Sequence, residues 1–191
     1  MHGLERTRAP TARQLVFEHT VEGLFRVALN GQLSPRATRA LEDTGIELTR
    51  PLLPAYPVET WRRALEITVA DVYARLSPEE AWRRLGHEVL DGLVDTHMGR
   101  SLRGAAQQLG PLGFLRRFNT TLRSADNYVQ ARLEERSPTL CEVWINDVMG
   151  QPAYYQGMLE ASLALAGGRG ARARVLGREA GGARFQVEWD A

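Results

Sequence analysis

The hydrophobic pattern changes its period once along the chain, near Ser124, and that change fixes two kinds of structure. Before it, apolar residues recur three and four apart. Phe17, Val21, Leu24, Phe25 and Ala28 form one stripe, and Trp82, Leu85, Val89, Leu90, Leu93 and Val94 form another. This is the period of a helix with one buried face. After Ser124, apolar and polar residues alternate: Val129, Ala131 and Leu133, then Cys141, Val143 and Ile145, then Ala171, Ala173 and Val175, then Phe185, Val187 and Trp189. A period of two belongs to a strand with one buried face. A helical stripe and a sheet face both need cover, and each can cover the other. The expected fold class is α+β: an N-terminal helical layer packed on a C-terminal, mostly antiparallel, four-stranded β-β-α-β-β sheet.

Capping and breaking residues place the elements. Thr11 and Gln14 have capping-box spacing, so a first helix is expected from about Thr11 to Leu29, stopped by Asn30-Gly31. Ser34-Pro35 opens a second helix and Gly45 ends it. Pro51, Pro54 and Pro57 forbid regular helix and predict an extended linker. A third helix, about Val58 to Leu76, turns Trp61, Leu65, Thr68, Val72 and Leu76 inward. Ser77, Pro78 and Glu80 cap a fourth, which runs to about Met98. Gly99 and Gly104 loosen the chain through a short helix, Gly110-Pro111 breaks it, and Pro111 to Arg123 forms the last N-terminal helix. Beyond Ser124, Arg136-Ser137-Pro138 reads as a turn, Pro152 opens a helix to about Ala166, and Gly181-Gly182 joins the last two strands as a tight hairpin. At 191 residues the chain is expected to be one domain, with 1–124 its helical part and 125–191 its β-β-α-β-β part.

Composition removes several chemistries. All 24 cationic residues are arginine, which excludes a lysine Schiff base and a P-loop lysine. The 23 acids leave a formal charge of +1, no footprint for nucleic acid or an anionic membrane. Cys141 is the only cysteine, so neither an internal disulfide nor a cysteine-built metal site can form. No apolar run approaches the ~20 residues that span a bilayer, and MHGLERTRAP lacks a signal peptide's apolar stretch. A cytoplasmic location is expected.

No catalytic constellation is visible. There is no G-x-S-x-G elbow, and GGRG (Gly167 to Gly170) follows a helix where a phosphate loop follows a strand. Cys141 has the inward parity of Val143 and Ile145 and reads as packing. His87, Asp91 and Asp95 stand four apart and could form a metal stripe, but a solvated helix face is the simpler reading. His19 points away from its helix's stripe and is expected in solvent. Arg172, Arg174, Arg178 and Arg184 share the outer side of the last hairpin, again read as solvated. His97 falls at the edge of the fourth helix's buried arc, where an imidazole could ligate heme. In YYQG, Gly157 costs its helix about 1 kcal/mol relative to alanine, which suggests close approach to the sheet or a ligand. Gly86, Gly92 and Gly99 leave further notches, expected mostly as close helix contacts. Any residual pocket is placed between helices and sheet, beside His97, Trp82, Tyr155, Gly157 and Met158.

The stretches VEGLF (Val21 to Phe25), GIELTRPLLPAYPVETW (Gly45 to Trp61), LGHEVLDGLVDTHMGRSL (Leu85 to Leu102), LGPLGFLRRF (Leu109 to Phe118) and YYQGMLEA (Tyr154 to Ala161) resemble a myxobacterial family of unknown function. Its members are single domains of about this size. The layout is also similar to the heme-nitric-oxide-binding, vinyl-reductase-like and TRAPP-like α/β superfamily, whose domains often hold an apolar ligand between helices and sheet. The tyrosine–serine–arginine motif that accompanies heme in the nitric-oxide sensors has no match here. The expectation is a non-enzymatic, regulatory binding domain with no cofactor and no metal. It would act through a protein partner, not nucleic acid or membrane. The alternative is a sensor for an apolar small molecule.

Overall fold

The computed structural model describes residues 13–190. The first element among the described residues is a short strand, Leu15–Phe17 (β1), where the sequence predicts helix. It pairs antiparallel with Ala55–Pro57 (β2), at the end of the proline-rich linker. Glu18 N–H donates to the Pro54 carbonyl and Val58 N–H to that of Gln14, closing both ends of this ribbon. The proposed cap at Thr11 lies outside the described residues. Helix begins only at Glu18–Glu22 (α1) and continues as a π-helical turn over Gly23–Ala28.

The next helices follow their caps. Ser34 accepts from Ala37 N–H and starts Pro35–Glu42 (α2). Val58–Val72 (α3) buries Trp61, Leu65 and Thr68, but it stops short of Leu76, which is exposed. Ser77 and Glu80 form a complete capping box on Pro78–Asp95 (α4). That helix ends three residues early because Thr96 turns the chain. Its hydroxyl donates to the Leu93 carbonyl at 2.7 Å and accepts Gly99 N–H at 3.0 Å. Arg100–Arg116 (α5) is two helical pieces joined at Gly110, whose φ of 68° places it in the left-handed region. A second break at Arg117 separates Phe118–Ala125 (α6), so the predicted Pro111–Arg123 helix is divided.

Ala131–Ser137 (β3), Leu140–Ile145 (β4), Arg172–Glu179 (β5) and Gly182–Glu188 (β6) form one antiparallel sheet in the order β3-β4-β6-β5. The last hairpin turns at Ala180-Gly181, both at positive φ, one residue before the predicted pair. The α+β class and the β-β-α-β-β order hold.

Pro152–Leu165 (α7) lies at the centre. Every residue from Pro152 to Leu163 is buried, so this helix has α4 on one side and the sheet on another, with no face left for solvent. It carries two polar side chains inward with partners. Gln156 donates to the Ala173 carbonyl, and Glu160 accepts from Ala173 N–H. One continuous cluster of buried side chains runs from Val16 through Trp61, Leu85 and Tyr154 to Phe185 and Trp189, joining the helices to the sheet.

Candidate functional site

The place where the sequence puts a pocket is closed. Trp82, Tyr154, Tyr155 and Met158 are core residues, with Tyr154 edge-on to both Trp82 and Tyr155. The gap remaining among Trp61, Asp126, Tyr155 and Met158 measures about 20 Å³, room for one water at most. Gly157 does not bring its helix to the sheet. It presses on α4, where a Cβ would overlap the Arg83 carbonyl oxygen. Gly86 of α4 makes the reciprocal approach to the Tyr154 carbonyl. Gly92 and Gly23 repeat this contact between α4 and the π-helical turn, and Gly99 rests on the Leu93 carbonyl. These notches hold backbone. His97 is not with them: it is exposed, its Nδ1 3.1 Å from the Arg100 guanidinium.

A buried carboxylate locks the α4–α7 seam. Glu160, 4% exposed, accepts from Arg83 through Nε (2.8 Å) and Nη2 (2.5 Å), from His87 Nε2 (3.2 Å) and from Ala173 N–H (2.9 Å). Burial alone would raise its pKa; the hydrogen bonds from His87, Arg83 and Ala173 outweigh that and hold it low. With every lone pair engaged, Glu160 reads as structure. His87 is therefore not on a free surface stripe. Asp95 pairs with Arg103 instead, and no cluster of metal-ligating side chains occurs among the described residues.

Other candidates also resolve into packing. Cys141 is buried beside Val143 and Ile145, and burial pushes its thiol up, away from reactivity. On the outer sheet face, Arg172 pairs with Glu188 and Arg184 with Glu142. Arg178 is not with them. A bulge between Val175 and Gly177 shifts the register and sets Arg178 opposite the inward-facing Ala183.

An apolar groove lies within the helical layer. It measures about 510 Å³ and runs between α1, the end of α4, α5 and α6. Its wall is apolar: Leu93 from α4, Leu102, Ala105 and Leu109 from the first piece of α5, and Phe114 from the second. The break at Gly110 lets both pieces contribute. Met98, 67% exposed, forms the lip. The opposite border is polar. Arg117, Thr120, Thr121 and Ser124 follow one another at i, i+3, i+4 and i+7 along α6. His19 also borders the groove, half-buried and stacked on Phe17 at 6.2 Å, where the sequence places it in solvent.

The sequence holds a signal for this site, in two facing stripes. Ser101, Leu102, Ala105 and Leu109 share one helical face, and Arg117 to Ser124 share another. The second stripe is polar and looks like a solvated surface, so nothing in it marks a wall.

Residues 14–190 match a family model described as a protein of unknown function (DUF2378), and the chain belongs to that family. No curated protein matches the sequence. Among solved structures, the fold is similar to an oxygen-binding H-NOX domain related to soluble guanylate cyclases, in its oxygen complex. The TM-score is 0.64 at 14% identity, over 91% of this chain and 92% of that one. A structure described as showing modulation of heme redox potential through protein-induced porphyrin distortion gives 0.65 at 13%, with coverages of 91% and 92%. The Fe(II) unliganded H-NOX protein from K. algicida gives 0.59 at 10%, with 91% and 95%. At such identities the likeness establishes the fold alone.

Proposed function

We propose that this member of the DUF2378 family is a non-enzymatic binding domain that takes a small, largely apolar molecule in the groove between α5 and α6. The observation that carries this reading is the groove itself, about 510 Å³ in volume with an apolar wall and polar groups gathered on one border. Structural neighbours described with bound oxygen or with heme support a sensing role on this fold. In this reading the filled or empty groove governs contact with a protein partner. No described helix is long and apolar enough to cross a membrane, and the nearly balanced charge favours neither a nucleic acid nor an anionic surface as that partner.

Heme, named for one neighbour, does not suit these residues. The gap beside Trp61, Tyr155 and Met158, where a pocket between helices and sheet is expected, holds about 20 Å³. The groove is larger, but among the described residues it offers a single imidazole, His19. Among the described residues, hydrogen bonds to imidazole nitrogens occur at His87 and His97, not at His19. A ligating histidine is normally oriented by such a bond through its second nitrogen. No heme chemistry is assigned to the chain.

Native mass spectrometry of protein from its own host tests the reading, together with a thermal-shift panel of fatty acids, aromatics and tetrapyrroles. A retained small molecule, or a stabilising apolar compound, is expected. An apo mass, no stabilising compound and a co-purifying protein would replace the small-molecule reading with one of protein contact alone. A stoichiometric Soret band lost in His19→Ala would reinstate heme.

A further inference from the structure

We infer that the groove's ligand is an amphipathic monoanion, an acyl chain or similar apolar body ending in a carboxylate, with the carboxylate at Arg117; this rests on the groove being the binding site. Three observations converge. The wall from Leu93 through Leu102, Ala105 and Leu109 to Phe114 is apolar along its length, and among the described residues none that borders the groove is acidic. The residues there that can carry charge, Arg117 and His19, are both basic in kind.

Arg117 is also free to act. Its neighbour Arg116 is committed to Glu135 through two hydrogen bonds of 2.7 and 2.8 Å. Arg117 makes no ion pair among the described residues, although it follows Arg116 directly in the chain. The break between α5 and α6 separates them: Arg116 ends one helix, facing β3, and Arg117 stands at the junction beside the groove. A guanidinium offers a planar fork that matches a carboxylate.

Hydroxyl groups complete the end. Ser124 donates to the Thr121 carbonyl at 2.7 Å and Thr121 to the Arg117 carbonyl at 3.4 Å. With their protons committed, these two hydroxyls reach a carboxylate only through water, and its direct donors are the Arg117 guanidinium and the hydroxyl of Thr120, exposed one turn away. An uncharged hydrocarbon would leave this border unused. A dianion or phosphate would meet one arginine where it needs two or more.

The test compares hexadecanoate, methyl hexadecanoate and hexadecanol on the full chain, by calorimetry and thermal shift. The acid is expected to bind at least about tenfold more tightly than the ester, the margin expected of a charge-assisted contact. In Arg117→Gln that margin should vanish while ester binding stays as it was. Equal binding of acid and ester by the wild type overturns the inference and leaves the groove reading intact. Failure of all three compounds to bind the wild type overturns the inference, and failure of the aromatics and tetrapyrroles of the thermal-shift panel as well overturns the groove reading. Arg117 is exposed, so loss of folding in the variant, checked by circular dichroism, is not expected; Arg117→Lys should restore part of the margin.

Discussion

The two ends of α4 face opposite kinds of surroundings. Its first half meets α7 backbone to backbone at Gly86 and Gly157, with Glu160 closing the seam from inside. Its last turn keeps one such contact, Gly92 on Gly23, but beside it, at Leu93, it opens onto the groove, where α5 and α6 stand far enough away to leave about 510 Å³. One helix thus serves as a core element and as a wall. The difference lies in side-chain size. Glycines draw two backbones together and remove space. Leucines and a broken neighbour helix hold a gap open.

The sharpest way to break this comparison is to enlarge the seam. Gly157→Leu drives a side chain into the Arg83 carbonyl, which is main chain and cannot swing aside. The expected cost is about 3 kcal/mol or more, at the upper end for overpacking. An unchanged melting temperature would show that α4 and α7 are not in backbone contact.

A smaller effect is expected where the two regions meet. Asp126, at the end of α6, is 8% exposed and lines the small gap beside Tyr154 and Tyr155. Burial is the main cause that pushes its pKa up to about 6, against the hydrogen bonds it accepts from Val129 and Tyr128. Its folded pKa exceeds its unfolded one, so Asp126 lowers stability as pH rises from about 4 to about 6. Glu160 acts in the opposite sense: its contribution is present above the unfolded carboxylate pKa and is lost as pH falls through its lowered folded value. Asp126→Asn keeps an acceptor oxygen for both backbone bonds. It should stabilise the protein at pH 7.5 by about 1–2 kcal/mol and flatten the decline between pH 4 and 6. Urea melts across that range check it; a variant less stable at pH 7.5 would show that the carboxylate is needed ionised.

The smallest expected change in stability sharpens the comparison most. Ala105→Phe adds far more bulk than most substitutions, but it adds it to the groove wall. Stability should stay within about 0.5 kcal/mol of wild type, as at an open surface. Binding of hexadecanoate should fall below detection. A destabilisation like that of Gly157→Leu would mean the groove closes in solution.

Legibility in the sequence followed the same division. The seam was readable in part, because glycine inside a helix is costly and Gly86 and Gly157 stand out for that reason. Its partner is not readable: periodicity says that a face is buried, not against what. The groove was hidden, since its polar border has the composition of any wet helix face. Leu15-Val16-Phe17 extends the stripe of the following helix, and a three-residue strand carries no period of its own. His97 was projected onto a helix that stops at Asp95, so its place on the wheel had no meaning. Arg178 lost its face to one bulge, since a single residue of slip inverts a strand's parity.

The burial of α7 on every side carries a further consequence, for how the chain comes apart. A helix with no solvent face belongs to both halves at once: its glycine meets α4, and its Gln156 and Glu160 hold β5. Residues 13–124 alone would leave the Gly86 notch bare, and the sheet alone would leave α7 uncovered. On this packing neither half is expected to fold alone: heat or denaturant should melt the molecule in a single cooperative step, and a cut near Ser124 should leave no stable fragment.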